Sequence, residues 1–172
     1  MLIFRFLSLN HYLVSKIEQP YRFITKIGDN KLRGPPMLEH AAVLFSNDAF
    51  YLAFANKNFE AMRSIWATRS TVTCIHPGWG VLSDRDEVLD SWEDILSSPD
   101  APNIACRTPI VRVLGEIAYV ICHEVLDQGC LLATNVFTLE EGLWKMVHHQ
   151  AGEAPPTEIT EEEIEKHDAM KN

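Results

Sequence analysis

The chain predicts an α+β fold: a cone-shaped α+β barrel with three N-terminal helices packed on a curved, mostly antiparallel sheet, in the order α-α-β-α-β-β-β-β. Three observations predict it. Apolar residues recur at helical spacing over Leu38–Ala53, Phe59–Trp66 and Val88–Leu96. A short β-branched run, Ser70 to Ile75, separates the second of these from the third. Beyond Pro102, four alternating runs are punctuated by Gly115-Glu116, Gln128-Gly129 and Glu141-Gly142, which read as hairpin turns.

In the first helix Leu38, Ala41, Ala42, Phe45, Ala49, Leu52 and Ala53 form the apolar stripe expected to face the core. Asn58 is placed to cap a second short helix, whose stripe is Phe59, Met62, Ile65 and Trp66. The strand Ser70–Ile75 breaks at His76-Pro77-Gly78-Trp79-Gly80. Ser83 with Asp86 resembles a capping box, and the helix it opens aligns Val88, Leu89, Trp92, Ile95 and Leu96. If each hairpin turn has two residues, Asn135 lies opposite His148, Phe137 opposite Met146, Cys122 opposite Asn135, and Arg107 opposite Glu124. One sheet face then carries Val111, Val113, Ala118, Val120, Ala133, Phe137, Trp144 and Met146, with Arg107, Glu124, Asn135 and His148 gathered at one end. The other face carries Ile110, Arg112, Tyr119, Ile121, His123, Thr134, Val136, Lys145, Val147 and His149. It is too apolar to be fully solvated, so a homodimer built sheet to sheet is expected through it.

At 172 residues the chain accommodates one domain with tails. Residues 1–36 read as a weakly ordered, basic N-terminal extension ending at Gly34-Pro35-Pro36, or else as sequence upstream of a true start at Met37. Residues 37–152 form the cone domain, and 153–172 an acidic tail. Arg5, Asn10 and His11 interrupt the apolar run near the start, so neither a signal peptide nor a membrane span is expected there. A net charge of −9 argues against nucleic acid and against anionic membrane surfaces as partners. The four cysteines, at 74, 106, 122 and 130, show no C-x-x-C spacing and read as reduced thiols of a cytoplasmic protein. The chain has no P-loop, dinucleotide-binding glycine run, G-x-S-x-G or H-E-x-x-H, so no cofactor and no metal are expected.

Several segments resemble the nuclear transport factor 2-like superfamily, in particular its SnoaL-like branch. They are Phe59-Glu60-Ala61-Met62, His76-Pro77-Gly78-Trp79, Arg85 to Trp92, Thr134 to Phe137, and Gly142 to Gln150. The resemblance covers about residues 38–152 and includes ketosteroid isomerases, scytalone dehydratase and polyketide cyclases. Where steroid isomerases place their general-base Asp, this chain has His76; the helix-one Tyr falls near Phe50, beside Tyr51; the second oxyanion acid has no counterpart, Ala133 standing near its place. These departures argue against steroid isomerisation by that mechanism.

What remains is a small-molecule-binding protein, read either as a cofactor-independent isomerase, cyclase or dehydratase or as a non-catalytic ligand-binding or dimerisation module. In the enzyme reading His76 is a general acid or base near neutrality, Asn135 and His148 polarise a carbonyl, and Trp79, Trp92, Phe137, Met146 and Tyr51 line an apolar pocket. Arg107 with Glu124 either recognises a carboxylate or carbonyl or closes the cone as a structural ion pair. The ligand is then a small apolar or carbonyl-bearing molecule.

Overall fold

The chain divides into two units, Met1–Arg33 and Gly34–Asn172. The computed structural model describes residues 36–154 except residue 128, all in the second unit. The expected extension up to residue 35, the tail beyond residue 154 and the side chain of Gln128 lie outside the described residues. The elements run α1 (Pro36–Ala55), α2 (Phe59–Ile65), β1 (Thr73–Ile75), α3 (Arg85–Ser97), β2 (Ala105–Leu114), β3 (Ile117–Leu126), β4 (Gly129–Glu140) and β5 (Leu143–Glu153). The sheet order is β1-β5-β4-β3-β2. β1 runs parallel to β5 and every other pair is antiparallel.

The inner layer of α1 is Val43, Asn47, Phe50, Tyr51 and Phe54, not the stripe expected from periodicity. Of that stripe only Ala53 is buried and Ala49 half-buried; Leu38, Phe45 and Leu52 face outward. α1 is apolar almost all round, so spacing alone does not choose its face, and the sheet selects the side with more aromatic volume. α2 is capped as expected: Asn58 Oδ1 accepts from the Ala61 amide at 3.0 Å. α3 is capped by Asp84 instead of Ser83, its carboxylate accepting from the Asp86 amide at 2.8 Å. Asp84→Ala is therefore expected to cost about 1 kcal/mol and Ser83→Ala under about 0.3 kcal/mol in thermal unfolding, and the reverse order excludes this assignment.

Three departures from the simple hairpin register decide which side chains point inward. The β3–β4 ladder closes with Leu126 opposite Gly129, so Cys122 pairs with Ala133 and Val120 with Asn135. This shift of two residues keeps every face. On β2 a bulge between Arg107 and Ile110 pairs Arg107 with His123 and Cys106 with Glu124. Pro109 causes it: proline has no N–H for the ladder, and Thr108 takes the left-handed conformation (φ 47°) to let the strand pass. Arg107 is thereby turned to the outer face, and the expected Arg107–Glu124 pair does not form.

On β5 the pairing slips between Phe137↔Met146 and Val136↔His148, placing His149 opposite Asn135. The slip coincides with a change of edge partner. Below it, Ala67 donates to the Met146 carbonyl (2.9 Å); above it, β1 pairs Thr73 with His148. His148 therefore leaves the inner face that the unbroken register assigned to it, and His149 takes its place.

Candidate functional site

The inner wall carries a continuous row of polar side chains amid aromatic packing. Asn135, fully buried on β4, is its centre. Its Nδ2 donates to Asn47 Oδ1 (2.8 Å) and Tyr51 Oη (3.2 Å), and its Oδ1 lies 2.6 Å from His149 Nδ1. A carbonyl oxygen only accepts, so His149 carries its proton on Nδ1 and leaves Nε2 as a lone pair. Tyr51 donates to Glu124 Oε1 at 2.9 Å, with its oxygen 3.1 Å from Cys122 Sγ. Asn47 Nδ2 reaches Cys106 Sγ at 3.7 Å. The row His149–Asn135–Tyr51–Glu124 thus spans the sheet from β5 to β3.

His76 sits at the end of β1, where the turn returns the Trp79 amide to the His76 carbonyl at 2.9 Å. Its Nε2 lies 2.9 Å from Ser91 Oγ, and Ser91 spends its own proton on the Val88 carbonyl (2.7 Å). His76 is therefore the Nε2–H donor, with Nδ1 unprotonated. Trp92 packs between the two imidazoles, its ring centroid 4.7 Å from that of His76 and 5.6 Å from that of His149. Phe50 lies 5.3 Å from Trp92 and 5.1 Å from His149. The Trp92 indole N–H is buried without a hydrogen-bond partner.

Burial sets the protonation states in opposite directions for acids and bases. It lowers His76 to about 4 and His149 to about 3, where His76 and His148 add a smaller effect of the same sign. It raises Glu124 to about 7, against a smaller lowering from the Tyr51 hydroxyl. It pushes the Cys74 thiol up to about 12, and the Tyr51 hydroxyl far above its ordinary range, with Glu124 as the next contribution. At neutral pH both imidazoles are uncharged, and Glu124 is divided between acid and carboxylate.

The expected site residues separate into three groups. His76, Asn135, Glu124, Tyr51 and Trp92 come together on the inner wall, and Phe137 and Met146 are fully buried in the core beside it. Trp79 is half-exposed, its ring centroid 4.9 Å from that of His76. His148 and Arg107 stand elsewhere: His148 is half-buried with Nδ1 2.6 Å from Thr73 Oγ1, and Arg107 bonds the neighbouring Cys106 carbonyl. Sequence reasoning set His149 on the outer face and missed Asn47 and Ser91. Both interrupt otherwise apolar buried faces, Asn47 between Val43 and Phe50, and Ser91 between Val88 and Trp92; a polar residue at such a position is the sign that could have found them.

An open depression of about 540 Å³ lies at the sheet end nearest Glu124, with Leu126, Asp127, Leu131 and Glu153 among its lining residues. Leu131 is the cross-strand partner of Glu124, so the depression reaches the residue pair that carries that carboxyl. A second depression, about 480 Å³, lies between α2 and the start of α3 and involves none of these side chains. Among the described residues no group of three His, Cys, Asp or Glu is arranged to hold a metal ion, and no helix is long and apolar enough to cross a membrane.

A family model for the SnoaL-like domain matches residues 43–155. The chain belongs to the SnoaL-like domain family, within the nuclear transport factor 2-like superfamily. Among curated proteins it is similar to the F-box protein SKIP8 of Arabidopsis thaliana, 30% identical over 112 residues, which make up 64% of this chain and 48% of that protein. The chain thus spans about half the length of the curated relative it matches. Among solved structures, an NTF2-like family protein of Streptomyces avermitilis, provisionally assigned as a dehydratase, is 32% identical with a TM-score of 0.66, covering 71% of this chain and 100% of that one. A protein of Thiobacillus denitrificans, provisionally assigned as a calcium/calmodulin-dependent protein kinase type II association domain, is 28% identical with a TM-score of 0.57, covering 64% and 93%. The S. rosetta CaMKII hub is 22% identical with a TM-score of 0.58, covering 72% and 100%, and shares the fold.

Proposed function

We propose that this SnoaL-like domain binds a small, uncharged, carbonyl-bearing apolar molecule on the inner wall of the cone and moves a proton on it without a cofactor, as an isomerase, cyclase or dehydratase does. One observation carries the reading: an imidazole held unprotonated, His149, and an acid held near neutrality, Glu124, share one wall and one hydrogen-bonded row, with the neutral His76 nearby across Trp92. Environments that push the pKa values of neighbouring groups apart are how a single site supplies a base and an acid together. His149 Nε2 or His76 Nδ1 takes the proton from carbon. The Tyr51 hydroxyl gives one to the oxygen that gains charge, and Glu124 returns it to Tyr51. No cationic side chain joins the row among the described residues, so the site disfavours carboxylate ligands. The likeness to the Streptomyces protein agrees with this class of chemistry.

The test is to identify a bound neutral metabolite by native mass spectrometry and follow its turnover. A double variant, His76→Ala with His149→Ala, is expected to lose at least about 100-fold in kcat/KM. Unchanged turnover in it rules the reading out. Because the base must be unprotonated and Glu124 protonated, kcat/KM is expected to be flat between about pH 4 and pH 7 and to fall above pH 7. A profile that instead rises above pH 7 excludes Glu124 as the acid.

A second reading, a non-catalytic assembly or ligand-binding module, draws on the outer sheet face. Ile110 and Leu132 are 50% and 45% exposed there, beside half-buried Tyr119, Ile121 and Val136. The likeness to the association domain supports it. A homodimer through this face predicts that Ile110→Asp yields a monomer in sedimentation.

A further inference from the structure

α1 has two apolar faces and spends only one of them on the core. On the other, Leu38, Phe45 and Leu52 are 61%, 76% and 62% exposed, with Met37 at 80% beside them. Leu38, Phe45 and Leu52 recur every seventh position, the repeat that keeps one side of a helix turned toward a helical partner. The stripe, with half-buried Ala49 at its edge against the core, also reads the same in both directions: Leu38, Ala41, Phe45, Ala49 and Leu52 stand at intervals of 3, 4, 4 and 3 residues.

We infer that this stripe is a self-association surface, on which α1 packs antiparallel against α1 of a second copy about a two-fold axis at Phe45. A two-fold interface uses the same patch on both copies, so residue i meets j while j meets i. In the antiparallel pairing Leu38 meets the second copy's Leu52, Phe45 meets its own counterpart, and the alanines between them let the helices approach. Charge selects the direction. Asp48 flanks the stripe, and a parallel pair would set it beside its own counterpart; antiparallel pairing separates the two by about 9 Å along the axis. The exposed apolar surface is on the order of 500 Å² per copy, hence about 1,000 Å² in total. That is the lower limit for a specific interface. The surface is separate from the outer sheet face and does not depend on either reading above.

Sedimentation velocity on the full chain from about 1 to about 200 µM tests this. Phe45→Glu is expected to halve the mass of the largest species, or to weaken its dissociation constant at least tenfold, whether or not Ile110→Asp does the same. The Phe45 side chain is mostly exposed, so the thermal midpoint of this variant should match the parent. Under mild oxidation, a mixture of Leu38→Cys and Leu52→Cys chains is expected to cross-link to each other above the background of the parent chain, and each variant alone to do so less. A mass unchanged by Phe45→Glu, or a chain that stays monomeric throughout the range, overturns the proposal. So does preferential self-cross-linking of Leu38→Cys, which would mean a parallel pair.

Discussion

Replacing Asn135 by alanine is expected to destabilise the protein by about 3–5 kcal/mol, among the largest effects of any single change in the chain. Asn135 is fully buried, and its one side chain satisfies His149, Asn47 and Tyr51. Truncation leaves an imidazole N–H, an amide oxygen and a phenol without that partner in an interior that water does not replace. Each stranded group costs about 1–3 kcal/mol, partly recovered by relaxation. Asn135→Leu separates polarity from packing, because it refills the space and leaves the groups unpaired. Equal losses from alanine and leucine in urea unfolding assign the cost to the hydrogen bonds. A near-neutral leucine variant would falsify that account and reduce the row to ordinary core packing.

Glu124→Gln is expected to stabilise the protein by about 2–3 kcal/mol at pH 8 and to leave it unchanged at pH 4. Glu124 is 2% exposed and has no cation within ion-pair distance among the described residues, since the bulge at Pro109 has carried Arg107 outward. Burial raises its folded-state pKa to about 7, above the ordinary value of 4.5. Between these two values the folded chain holds a proton that the unfolded chain has released, so stability is full below pH 4.5, declines as pH rises and is lowest above pH 7. Glutamine keeps the acceptor for Tyr51 and removes the charge. A parent and variant that differ equally at pH 4 and pH 8 refute the buried carboxyl.

The histidines act with the opposite sign. With folded pKa values near 4 and 3, His76 and His149 are neutral where their unfolded forms would be charged. Their share of stability is full above about pH 6.5 and is lost as pH falls toward those values. Acid unfolding should therefore be governed by these two residues, and the decline on the alkaline side by Glu124.

Much of the site was visible before any coordinates. His76 at a strand end before Pro77-Gly78, Trp92 on the buried face of α3, and Asn135 and Glu124 on one face of the hairpins all follow from spacing and alternation. His149 did not follow, because nothing local to Met146-Val147-His148 marks a bulge; it arises where β5 exchanges Ala67 for β1 as its neighbour. Arg107 could have been placed correctly, since a proline inside a strand announces a break in the ladder.

What the amino-acid sequence alone determined is the list and order of elements, their alternating faces and the superfamily they resemble, because these depend on periods of 3.6 and 2 residues and on turn chemistry within a few positions. The tertiary structure alone decided which of two apolar sides of α1 meets the sheet, which histidine of the pair at 148 and 149 joins Asn135, and whether Glu124 has a cation beside it. Each is a choice between near-equal local alternatives, and only the competition among strands and helices for the same buried surface resolves it.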